Sequence, residues 1–223
     1  MRDNPLHERE GFCYDKTGGS LAAGWRVAMG FTLLERFYPD HYLDSAYEID
    51  YEQLYRKGYR GVIFDIDNTL VPHGAPADGR SIALFCRLKE IGFETVLLSN
   101  NKEPRVKSFH EKVHSRYIHK AGKPAVRSYL KAMELMGTVP ETTMFVGDQL
   151  FTDVWGAKKA GIRSWLVKPI HPREEIQIVL KRRLEWIVLF FYRRSRGRYC
   201  DSIRKAEARC GSFAAGCPAE PMS

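Results

Sequence analysis

The sequence predicts an α/β fold: three layers around a mostly parallel, five-stranded sheet, with no large cap domain. Two observations carry this. Short runs rich in Val, Ile, Leu and Phe alternate with stretches of ten or more residues whose apolar positions recur at helical spacing. The intervals between consecutive β-rich runs are filled by one helix each, which leads parallel strands back to the same edge.

The elements follow in order. "GVIFDID" (61–67) is bounded by Gly and reads as the first strand. "DGRSIALFCRLKEIG" (78–92) places Ile82, Leu84, Phe85, Leu88 and Ile91 at helical spacing, and Gly92 stops it. "FETVLLSN" (93–100) is the second strand. "EPRVKSFHEKVH" (103–114) begins with Pro near a helix start. "RYIH" (116–119) is a short third strand, and "KPAVRSYLKAMELMG" (123–137) is a helix stopped by Gly137. "TTMFVGD" (142–148), a short helix in "FTDVWGAKKAG" (151–161) and "IRSWLV" (162–167) complete the alternation. Residues 1–20 read as a flexible leader and 21–60 as a helical extension packed on the core. Residues 61–170 form the catalytic core, 171–199 a basic amphipathic helix and 200–223 a disordered tail. Cys86 sits among apolar residues and reads as core.

A parallel sheet binds ligands outside the carboxyl ends of its strands. The first strand ends in Asp65, Asp67 and Thr69, and the second in Ser99, Asn100 and Asn101. Lys123 lies just past the third, and the fourth ends in "GDQLFTD", with Asp148 and Asp153. Four carboxylates on one rim repel each other unless a cation joins them. Oxygen donors with room for water suit Mg²⁺. A lysine and hydroxyls beside a metal suit phosphate oxygens.

"DIDNTL", "LLSNN", "GKP" and "VGDQLFTDVWGAKKAG" resemble the four motifs of the haloacid dehalogenase-like phosphatase superfamily, over residues 61–167. The longer run "YPDHYLDSAYEIDYEQLYRKGYRGVIFDIDNTLV" is similar to the YqeG family, a subclass IIIA branch that includes mitochondrial phosphatidylglycerophosphate phosphatases. The resemblance implies a Rossmann-like core and a phosphatase. In it Asp65 is the nucleophile and forms an aspartyl-phosphate, and Asp67 is the general acid and then the base. Asp65, Asp148 and the Asp67 backbone carbonyl hold Mg²⁺, and Asp153 supports it. Thr69 and Ser99 hold phosphoryl oxygens or order the loop, Asn100 joins them at the substrate, and Lys123 neutralises charge. The intact second aspartate argues against a dehalogenase.

Neither interval, from the first strand to the second or from Asn101 to Lys123, has room for a cap domain, so the site is open to a large substrate. "VPHGAPAD" (71–78) forms a small flap in which His73 is a candidate substrate contact. The chain of 223 residues carries a net charge of +8. Residues 168–209 hold twelve Lys and Arg against five Asp and Glu, so the excess is C-terminal. "KRRLEWIVLFFYRRSRGR" (181–198) is too short and too charged to span a bilayer, which takes about 20 apolar residues. It suits either a helix packed on the core or an interfacial helix meeting anionic lipid. The five cysteines show no CxxC and the start no signal-like apolar stretch, so a reducing, cytoplasmic setting is expected, with peripheral attachment to the inner face of the membrane. The leading expectation is a Mg²⁺-dependent phosphatase acting on phosphatidylglycerophosphate in phospholipid biosynthesis. The same chemistry on a soluble ester or a phosphoprotein is a second reading. A non-catalytic protein binding RNA or a ribosomal partner is a third, disfavoured by the absence of an RNA-binding motif.

Overall fold

Among the described residues, the alternation of strand and helix resolves into one six-stranded sheet, all of its pairings parallel. The computed structural model describes residues 34–171 and 184–195. The strands are β1 (His41–Leu43), β2 (Gly61–Phe64), β3 (Glu94–Leu98), β4 (Arg116–Ile118), β5 (Thr143–Gly147) and β6 (Arg163–Val167), in the spatial order β1-β6-β5-β2-β3-β4. The helices are α1 (Tyr51–Arg56), α2 (Gly79–Ile91), α3 (Glu103–Val113), α4 (Val126–Met136), α5 (Trp155–Lys159) and α6 (184–195).

The sixth strand corrects the expected five. β1 lies within the stretch read as helical, beside the 3₁₀ turn Ala46–Glu48 and α1. Its sequence, His-Tyr-Leu, is too short to show a period of two. It is fixed instead by β6: His41 stacks on Trp165 at 4.6 Å, and the Asp40 carboxylate accepts from the Ser164 amide at 2.8 Å and hydroxyl at 2.9 Å.

Alternation along the strands divides the core into two layers. Val62, Phe64, Leu97 and Val146 face Tyr51, Leu88, Val106 and Phe109 from α1–α3. Ile63, Val96, Leu98 and Phe145 face Tyr129, Ala132, Met133 and Ala157 from α4 and α5. The helices start and stop on local signals. Asp78 caps α2 by accepting from the Ser81 amide at 2.8 Å, and Gly92 ends it at φ 105°, a conformation glycine adopts without strain. Cys86 is exposed, correcting the core expectation: the buried stripe of α2 runs through Leu84, Phe85 and Leu88, and Cys86 falls outside it.

α6 has two characters. Val188 and Tyr192 are buried with Tyr38, Leu150, Val154 and Leu166. On the opposite face Trp186 is 67% exposed and Phe190 50%, the two rings stacked at 5.9 Å, and Ile187 beside them is also exposed. Among the described residues no helix is long and apolar enough to cross a membrane. The leader (1–20), residues 21–33, 172–183 and 196–199, and the tail (200–223) lie outside the described residues.

Candidate active site

β2 is central. The chain winds from it to β3 and β4 on one side, then crosses back to β5 and β6 on the other. This reversal leaves a crevice at the carboxyl ends of β2, β3 and β5, where open α/β sheets bind ligands. Asp65 directly follows β2, and its amide extends the ladder to Val146 O at 2.9 Å. Ser99 follows β3 and Asp148 follows β5. Lys123 lies in the loop after β4, and Asp153 in the π-helical turn Leu150–Val154 that leads into α5. A cleft of about 270 Å³ opens here, lined by Asp65, Asp67, Asn68, His73, Ser99, Asn100, Asn101, Lys123, Gln149 and Thr152. No cap domain lies between β2 and β3 or between β3 and β4.

Asp65, Asp148 and Asp153 each bring a carboxylate oxygen within 4.8 Å of the others, all three buried. Lys123 Nζ lies 2.8 Å from Asp65 Oδ1 and 2.8 Å from Asp153 Oδ1. Thr69 donates to Asp148 Oδ1 at 3.2 Å, and the Gln149 amide donates to Asp153 Oδ2 at 3.1 Å. Gly147 makes room for this: a Cβ there would lie 2.5 Å from Asp153 Oδ2.

One ammonium against three buried carboxylates leaves a deficit of positive charge. Burial pushes the Asp65 carboxyl up to about 6 from an ordinary 3.8; Lys123 opposes this and the Asp153 and Asp67 charges add to it. Burial alone would lower Lys123, but Asp153 and Asp65 outweigh it and hold the ammonium well above its usual range. A small cluster of carboxylate oxygens with unmatched negative charge fits a hard divalent cation.

Asp67 belongs to a second set of contacts. Its Oδ1 accepts from the Gly74 amide at 2.7 Å and from Arg105 at 3.0 Å, and its Oδ2 accepts from Asn101 Nδ2 at 2.6 Å. The two aspartates of the opening motif therefore share the cleft, yet the Asp67 carboxylate is held on the flap side. Asn68 at φ 63° makes the turn between them and the flap, with its amide donating to Val71 O at 2.7 Å.

The predicted residues take distinguishable places. Asp65, Asp67, Ser99, Asn100 and Lys123 line the cleft, as does His73. Asn100 also clasps the Lys123 backbone, accepting from its amide at 2.8 Å and donating to its carbonyl at 3.3 Å. Thr69 lies beneath the rim, against Asp148. Sequence reasoning missed Arg105, Gln149 and Thr152 and assigned no role to Asn101 or Gly74. Arg105, in the first turn of the helix after the Ser99–Asn101 strand end, was the one with a readable position.

A family model of haloacid dehalogenase-like hydrolases matches residues 75–161, a span that holds Ser99, Lys123, Asp148 and Asp153. The chain belongs to the haloacid dehalogenase-like hydrolases, as a phosphatase of that family. The Bacillus subtilis (strain 168) protein named probable phosphatase YqeG is 37% identical over 140 residues, 62% of this chain and 81% of that one. Phosphatidylglycerophosphate phosphatase 1, chloroplastic/mitochondrial, of Arabidopsis thaliana is 30% identical over 159 residues, 63% of this chain and 44% of that protein. Among solved structures, a haloacid dehalogenase-family enzyme of Bacteroides thetaiotaomicron, in a magnesium complex, aligns at a TM-score of 0.41 and 13% identity over 52% of this chain and 96% of that one.

Proposed function

We propose that the protein is a Mg²⁺-dependent phosphomonoester hydrolase that works through an aspartyl-phosphate on Asp65 and acts on phosphatidylglycerophosphate at an anionic membrane surface. The observation that carries the chemistry is the buried trio Asp65, Asp148 and Asp153 on an open cleft, with Lys123 bridging Asp65 and Asp153. Asp65, Asp148 and Asp153, with the Asp67 backbone carbonyl, would hold the cation. When bound, it neutralises the carboxylates and phosphoryl oxygens, so that an anionic nucleophile can approach an anionic ester.

The residues then divide the reaction. An Asp65 carboxylate oxygen forms a bond to phosphorus as the ester bond to the leaving oxygen breaks, and Asp67 gives that oxygen a proton. Asp67 next takes a proton from water, whose oxygen attacks the phosphorus of the aspartyl-phosphate and releases phosphate and free Asp65. Asn101, Arg105 and the Gly74 amide fix the direction of the Asp67 carboxylate. Ser99 and Lys123 face the phosphoryl oxygens, and Thr69 keeps Asp148 in place.

The lipid assignment is supported by the outer face of α6. Trp186, Ile187 and Phe190 present a contiguous apolar surface, and the exposed Arg193 and Arg194 follow on the same helix. This composition suits the boundary between head groups and acyl chains. The Arabidopsis relative's name denotes the same substrate. The test is Mg²⁺-dependent phosphate release from phosphatidylglycerophosphate in mixed anionic vesicles, beside nucleotides, sugar phosphates and phosphopeptides, with Asp65→Asn as blank. Preference for the lipid supports the assignment. Turnover confined to a soluble ester or phosphopeptide retains the chemistry and overturns the lipid substrate.

A further inference from the structure

Beside the apolar packing of Val188 and Tyr192, α6 reaches the carboxylate loop through a buried acidic side chain. Glu185 lies on its inner face, and its Oε1 accepts a 2.8 Å hydrogen bond from the Leu150 amide, both residues buried. Leu150 opens the π-helical turn that carries Asp153, two residues after Asp148. The first amides of a helical turn have no partner within it, and the residue at the cap position, Gln149, supplies no side-chain cap. The cap comes instead from a carboxylate 35 residues later in the chain. The Glu185 oxygen thereby satisfies a buried backbone donor that the turn itself leaves without a partner.

The surroundings show why such a tether matters. A cavity of about 160 Å³ lies between α6 and this loop, lined by Asp148, Leu150, Glu185, Trp186 and Leu189 among others. Side-chain packing alone therefore leaves room beside Asp148. The other side of the turn is tied to the cation-binding carboxylates, through the Gln149 amide to Asp153. We propose that Glu185 is a positioning residue for the cation site: by holding Leu150 it sets Asp148 and Asp153 at the spacing that Asp65 requires. The assignment rests on the cation reading given above. It also makes α6 part of the active-site support, with Glu185 on the inner face next to Trp186 on the outer one.

The test is direct Mn²⁺ binding to the full chain by titration calorimetry, with thermal melts alongside. Glu185→Ala is expected to weaken Mn²⁺ binding about 10-fold or more, the scale for groups that orient metal ligands. Glu185→Gln, which keeps an acceptor oxygen, is expected to recover most of that loss. Val188→Ala, which loosens the apolar packing of the same helix against this loop but leaves the Glu185 carboxylate and its hydrogen bond to Leu150 in place, is expected to bind as wild type. If Glu185→Ala does not fold, Glu185→Met keeps the side-chain stem, lacks the acceptor and is read the same way. Wild-type affinity in the acceptor-free variant overturns the assignment. So does an equal loss in Val188→Ala, because packing would then suffice. A wild-type chain that binds no Mn²⁺ overturns the cation reading too, whereas binding indifferent to Glu185 overturns this assignment alone.

Discussion

Lys123 Nζ lies 2.8 Å from Asp153 Oδ1, although the two residues are carried by loops that follow different strands, β4 and β5. The same nitrogen also reaches Asp65, so one ammonium ties the proposed nucleophile to the loop proposed to hold the cation. Replacing it with methionine keeps the stem and removes the charge. Lys123→Met is expected to lower kcat about 10²- to 10³-fold, the usual cost of deleting one donor from a site of developing charge. Steady-state kinetics on a soluble ester at saturating Mg²⁺ checks this. A loss confined to KM would count against a role in the reacting state.

The raised Asp65 carboxyl predicts how stability depends on pH. A group that titrates higher in the folded than in the unfolded chain contributes stability fully below its unfolded value, here 3.8, and loses it as pH rises through about 6. The metal-free protein should therefore lose stability through this group between about pH 4 and pH 6. Mg²⁺ bound as proposed would favour the ionised carboxyl, so its stabilising effect should grow over the same range. Thermal melts with and without Mg²⁺ are expected to show a larger gain at about pH 7.5 than at about pH 5. Equal gains at both would contradict the linkage.

Packing beside the site is tight enough to test with one methyl group. A Cβ on Gly156 would overlap the hydroxyl of Tyr129, a fully buried ring whose hydroxyl donates to Thr152 O at 2.9 Å. Gly156→Ala is expected to destabilise the fold by about 1–3 kcal/mol, the range for overpacking a filled core. Chemical denaturation measures it. A neutral result would mean that the ring and α5 can separate without cost.

The outer face of α6 gives a separate prediction. Trp186→Ser combined with Phe190→Ser removes two exposed rings and leaves Val188 and Tyr192 buried. The pair is expected to reduce pelleting with anionic vesicles about 10-fold or more, since burying each aromatic side chain favours binding by roughly 1.5–3 kcal/mol, while turnover of a soluble ester stays unchanged. Unaltered pelleting would move lipid contact elsewhere on the protein.

Much of the fold and the rim was legible because a parallel sheet puts every strand's carboxyl end on one side. Asp65, Ser99, Lys123 and Asp148 could be placed together from strand order alone. The partners of Asp67 could not, because Gly74 and Arg105 reach it only through the path of the flap and the start of α3. β1 escaped because three residues carry no period and its pairing with β6 is non-local. Cys86 was misplaced because its apolar neighbours in sequence hid its position off the buried stripe of α2. Glu185, one acid in a basic tract, gave no local sign that it would be buried against Leu150. The α6 tract left two uses open, and the helix shows a packed face and an exposed apolar one.

The most direct test of the central claim is rapid acid quench of the enzyme turning over a labelled phosphate ester, followed by peptide mapping. The account predicts label on the peptide carrying Asp65, acid-stable and lost on brief treatment with base or hydroxylamine, and absent from Asp65→Asn, which should retain its fold and lose turnover. Turnover without any labelled carboxylate, or label on a different residue, would contradict it.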